Sequence, residues 1–174
     1  MALLAEEIVE EWLNRNGYFT IRGIKLGVHE IDLLAMRVHG ATIEARQIEV
    51  QASIRPISYL CPLPKDAQKK TGRKPMSMKK RTRRELAEGV REWVNKKYHH
   101  DAKKRLRNAL FPGDWKYELV IHRVKFPEEL QLLEEHGIKI HKLDEIVASL
   151  SGSPTMIQSA AGSDLLELIM LGRE

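Results

Sequence analysis

The chain has 174 residues, of which 43% are hydrophobic and 30% charged, and a net charge of +5; this suits one domain with a buried core. No apolar run approaches the roughly 18 residues of a membrane span, and the acidic, helix-patterned start is not expected to act as a signal peptide. Cys61 is the single cysteine, so an internal disulfide is excluded; a reducing cytoplasm is the expected location.

In chain order, Ala5, Ile8, Val9, Trp12 and Leu13 fall on one arc at helical spacing. That predicts an amphipathic helix over Ala2–Asn16, stopped by Gly17. Stretches rich in branched and aromatic residues predict strands at Tyr18–Ile24, Val28–Val38 and Thr42–Ser53. His39-Gly40 is the expected turn between the second and third. Ile54–Met78 holds four prolines and many lysines and is expected to be a long loop, mobile without a ligand. Leu86, Val90, Trp93, Val94 and Tyr98 form the stripe of a helix over Arg83–Tyr98, which Lys103–Leu110 extends.

Tyr117–Val124 is the next expected strand. A helix follows from Pro127 to His136, then a strand over Ile138–Lys142 and a helix over Leu143–Leu150 capped from Asp144. This order describes an α/β sandwich with a mixed sheet over residues 1–150. Residues 151–163, rich in Ser, Gly and Ala, read as a linker, and 164–174 as a short apolar helix. That helix would dock on its own domain or on a second copy. A homodimer would suit an enzyme acting on both strands of a duplex.

Charge is segregated. Residues 65–107 carry 17 Lys/Arg against 5 Asp/Glu, while the rest of the chain is net negative by 7. Such a block attracts polyanions by releasing phosphate counterions. Lys74, Lys79, Lys80, Arg81, Arg83 and Arg84 are the expected nucleic-acid contacts. The alternative is a solvated helical face.

The chemistry lies upstream. Residues two apart on a strand share a face, as Glu30 and Asp32 do, and Glu49 and Gln51. A turn at His39-Gly40 pairs Val38 with Ala41 and Asp32 with Gln47, making Asp32 and Glu49 diagonal neighbours at roughly 7–8 Å. Two carboxylates set so close in apolar strands call for a cation, and oxygen ligands suit Mg²⁺ or Mn²⁺. Alternatively, both acids face solvent or pair with Arg46 or Arg37.

Helix, Gly-Tyr, Glu-Ile-Asp-Leu (30–33), then Ile-Glu-Val-Gln (48–51) after a hairpin resembles the PD-(D/E)XK nuclease superfamily. The closest likeness is to Holliday-junction resolvase-like and small bacterial endonuclease-like proteins. The resemblance implies a restriction-endonuclease-like α/β/α sandwich with a central mixed sheet. It implies Asp32 and Glu49 as metal ligands with the Val50 carbonyl between them, and Glu6, eleven residues before Gly17, as the first-helix acid. By motif it covers Ala2–Ser53, and by element order it extends to Leu150. Gln51 stands where the family has lysine. It can orient a water through its amide but brings no charge. The implied activity is Mg²⁺- or Mn²⁺-dependent hydrolysis of DNA by Asp32, Glu49, Gln51 and Glu6. The alternative is a weak or inactive nuclease-fold module that binds nucleic acid.

Overall fold

The computed structural model describes residues 2–53 and 55–152. Among these, helix α1 (Ala2–Arg15) precedes strands β1 (Phe19–Leu26), β2 (His29–His39) and β3 (Thr42–Gln51). Helices α2 (Lys65–Thr71), α3 (Arg83–Lys97) and α4 (Asp101–Leu110) follow. The remainder is β4 (Trp115–Ile121), α5 (Glu128–Glu135), β5 (Ile138–Lys142) and α6 (Leu143–Gly152). The five strands form one sheet in sequence order, with β1, β2 and β3 antiparallel and β3, β4 and β5 parallel. The expected mixed-sheet α/β sandwich is therefore the fold. Residues 153–163 of the expected linker, and the expected terminal helix, lie outside the described residues.

Alternation along the strands builds two cores. Leu33, Ala35, Ile48, Val50 and Val120 pack with Ala5, Ile8, Val9 and Leu13 of α1 and with Ile146 and Leu150 of α6. Leu119 and Ile121 point the other way, where Val90, Trp93 and Val94 of α3 and Leu133 of α5 join them. β4 is thus apolar on both faces, as a strand covered on both sides requires. Trp93 lies in the second core as expected, and Trp12 packs at the margin of the first.

The β2–β3 turn differs from the expected one. His39 pairs with Thr42, so Gly40 and Ala41 form the turn, and Gly40 takes a φ of +60°. A two-residue hairpin turn with glycine in its first position needs positive φ there. The expected turn would have put that demand on His39, where a side chain makes it costly. Leu34, not Asp32, therefore pairs with Gln47. The slip is two residues, so every side chain keeps its predicted face.

The segment expected as a mobile loop is built into the protein. Tyr59, Leu60, Cys61 and Leu63 are buried, Ile57 bridges Val124, and Lys65–Thr71 is helical. Gly89 lets α3 approach this segment, since a Cβ there would lie 2.8 Å from the Pro62 carbonyl oxygen. Arg81 corrects another expectation, because it is not a surface cation. Its fully buried guanidinium donates to the Cys61 carbonyl at 2.7 Å, stands 3.4 Å from Glu129 Oε1 and covers the Tyr59 ring at 3.8 Å. Glu129 Oε2 accepts from the Leu60 N–H at 2.6 Å. An arginine buried against a carbonyl, a carboxylate and a ring is a clamp and not a phosphate contact.

Burial pushes the Glu129 carboxyl up to about 7, against the pull of the Leu60 N–H and Arg81. The folded chain then holds a proton that the unfolded chain releases near 4.5. Stability from this group is complete below that value and is lost as pH rises towards 7, by an amount on the order of a few kcal/mol. Urea midpoints between pH 4.5 and 7.5 should decline more steeply for wild type than for Glu129→Gln, which keeps an acceptor for Leu60. Equal slopes would show that Glu129 is ionised throughout.

Candidate active site

The β2–β3 ladder ends at Leu33–Ile48. Beyond it β2 stays paired with β1 as far as His29, and β3 with β4 as far as Gln51. The sheet therefore opens between its second and third strands. Asp32 stands at the opening, and its Oδ2 accepts the Val50 N–H at 2.8 Å. That bond supplies a partner for a backbone donor that the ladder no longer satisfies. An extended residue turns its N–H and C=O to the same neighbour, so the Val50 carbonyl also faces the gap.

Glu49 projects from β3 on the same sheet face as Asp32 and is fully buried. Its Oε2 accepts from Lys97 Nζ at 2.6 Å, and its Oε1 from Lys103 Nζ at 3.2 Å and Gln47 Nε2 at 3.0 Å. Gln47 also donates to the Lys97 carbonyl at 2.8 Å and accepts from Arg107 Nη1. Arg107 Nη2 in turn meets the Tyr117 hydroxyl at 3.2 Å. Lys97 closes α3, and Lys103 and Arg107 lie one turn apart on the inner side of α4. Burial, and then Asp32, raise the Glu49 carboxyl above its ordinary range despite the two lysines. Burial depresses Lys103, whereas for Lys97 Glu49 and Asp32 outweigh burial and raise it.

Glu6 of α1 is half-buried. Burial, and then Asp32, push its carboxyl up, with Arg22 and, less strongly, Lys97 opposing. Gln51 lies one step beyond Glu49 on the shared face, half-buried at the end of β3. The alternative partners of the two acids are committed elsewhere. Arg37 and Arg46 both pair with Glu44 at 2.8 Å and flank the Tyr18 ring. Among the described residues, no group of three or more His, Cys, Asp and Glu side chains could hold a metal ion. The oxygen donors at the gap are the Asp32 and Glu49 carboxylates and the Val50 carbonyl. That set fits a hard divalent ion completed by water, provided that Lys97 releases Glu49 Oε2.

No family model and no curated protein matches the chain. A solved structure described as a protein of unknown function, AF1548, is similar at 15% identity with a TM-score of 0.47, over 97% of this chain and 78% of that one.

Of the expected nucleic-acid contacts, Lys74, Lys79, Lys80, Arg83 and Arg84 are exposed. Arg84 bonds Glu88 one turn along α3. Lys96, Lys104 and Arg105 add exposed charge beside the site. His29 and His100 stack with ring centroids 3.7 Å apart, and His100 caps α4 by accepting the Ala102 N–H. Sequence reasoning missed Gln47, Lys97, Lys103 and Arg107. One signal was available: Lys103 and Arg107 are four apart and flank Leu106, which places all three on one side of a helix.

Replacing Gln47 with leucine removes the acceptor of a buried arginine and a donor to Glu49. Gln47→Leu should lower stability by about 1–3 kcal/mol, seen as a lower urea midpoint with an unchanged m-value. An unaltered midpoint would mean that water satisfies Arg107.

Proposed function

We propose that this chain is a divalent-metal-dependent nuclease of the restriction-endonuclease-like, PD-(D/E)XK kind, hydrolysing phosphodiester bonds in DNA. The observation that carries this reading is the opening between β2 and β3, where Asp32, Glu49 and the Val50 carbonyl face one gap. Asp32 and Glu49 would hold the ion. The ion, when bound, supplies Lewis acidity and a water of lowered pKa. Gln51, next along the same face, would orient that water through its amide. The water oxygen would bond to phosphorus and lose a proton to solvent as one ester P–O bond breaks, and the departing oxygen would take a proton from solvent. Lys74, Lys79, Lys80, Arg83 and Arg84 would grip the backbone, contacts that carry affinity but no sequence information.

Lys97 and Lys103 neutralise Glu49, and Gln51 is uncharged. Those observations favour a second reading, a module of the same fold that binds DNA without cutting it.

Plasmid nicking in Mg²⁺ or Mn²⁺ distinguishes the two readings. Glu49→Gln and Asp32→Asn keep the side-chain volumes and should each slow nicking by at least about two orders of magnitude, with DNA affinity unchanged by fluorescence anisotropy. Equal nicking by wild type and both variants would assign the cleavage to a contaminant. An inactive wild type that gains cleavage through Gln51→Lys would favour the binding module.

The exposed cations make a separate prediction. Changing Lys74, Lys79, Lys80, Arg83 and Arg84 to serine should weaken DNA binding and reduce the slope of log K against log salt by up to about 0.9 for each phosphate no longer neutralised. An unchanged slope would place the binding surface elsewhere.

A further inference from the structure

The two ammonium groups on Glu49 are not equivalent. Lys103 is 1% exposed, and its Nζ is held twice, by Glu49 Oε1 at 3.2 Å and by the Lys97 carbonyl at 2.8 Å. It belongs to the frame. The Lys97 side chain is 25% exposed, and its Nζ bonds Glu49 Oε2 at 2.6 Å; among the described residues this is its one hydrogen bond. Its flexible four-carbon stem lets the ammonium swing while the end of α3 stays in place.

We propose that Lys97 is the working lysine of this site: its ammonium is the resident counter-cation of Asp32 and Glu49, yields Glu49 Oε2 to a divalent ion, and then meets the non-bridging oxygens of the scissile phosphate. The proposal rests on the nuclease reading. It explains how Gln51 can be uncharged, since the positive charge arrives from a helix end and not from the strand. Lys97 and Lys103 together already match the charge of Asp32 and Glu49, so a divalent ion that displaces Lys97 brings two charges in excess, and a bound phosphate answers them. The exchange is therefore favoured with the phosphate in place, and it frees a cation within reach of the charge that builds on phosphorus.

The test uses the full chain, with Mn²⁺ binding followed by electron paramagnetic resonance and plasmid nicking followed in Mn²⁺. Lys97→Gln removes the competing charge and should bind Mn²⁺ about tenfold more tightly. The same variant should nick at least about a hundredfold more slowly, with little change in KM for DNA. Lys97→Arg keeps the charge and should recover part of the rate. If wild type nicks while Lys97→Gln matches it in both measurements, the proposal fails and the nuclease reading stands. Weaker Mn²⁺ binding together with slower nicking in Lys97→Gln would make Lys97 a structural prop and also overturn the proposal. A folded wild type that binds Mn²⁺ but never nicks would remove the nuclease reading and the proposal with it.

Discussion

The hydrogen bond from the Val50 N–H to Asp32 Oδ2 takes over where the β2–β3 ladder stops. A sheet can open internally only if its freed backbone donors find other partners. Here the carboxylate that supplies the partner is also a candidate ligand, so the local departure from regular pairing and the candidate chemistry have one cause. With β2 held by β1 and β3 held by β4, the gap has a paired strand on each side.

Burying Glu49 beside Asp32 imposes the second constraint. An unpaired carboxylate without solvent is costly, and the chain offsets that cost with two lysines and a glutamine drawn from three elements. The α3–α4 junction is shaped by this need. The break after Lys97 lets Lys103 and Arg107 turn inward and lets the Lys97 carbonyl accept from both Gln47 and Lys103. A continuous helix would not have freed that carbonyl.

The basic block thus divides by environment. Lys103, Arg107 and Arg81 are buried and answer Glu49, Gln47 and Glu129, whereas Lys79, Lys80, Arg83 and Lys104 remain in water. No helix among the described residues is long and apolar enough to cross a membrane. The exposed charge faces water, and the buried share is structural.

The sequence by itself determined the order of the five strands, though not helix α2 or the break between α3 and α4, and the face of every strand residue in the candidate site, because a period of two survives a register slip of two residues. It also determined the segregation of charge. Only the tertiary structure decided the turn at Gly40-Ala41, the opening of the sheet at Asp32, the docking of residues 55–82 and the direction of each lysine. Those outcomes depend on contacts between residues far apart in the chain, such as Glu49 with Lys103 or Arg81 with Glu129. A lysine's sequence neighbourhood is the same whether its ammonium meets a buried carboxylate or water, so the local pattern carries no record of the choice.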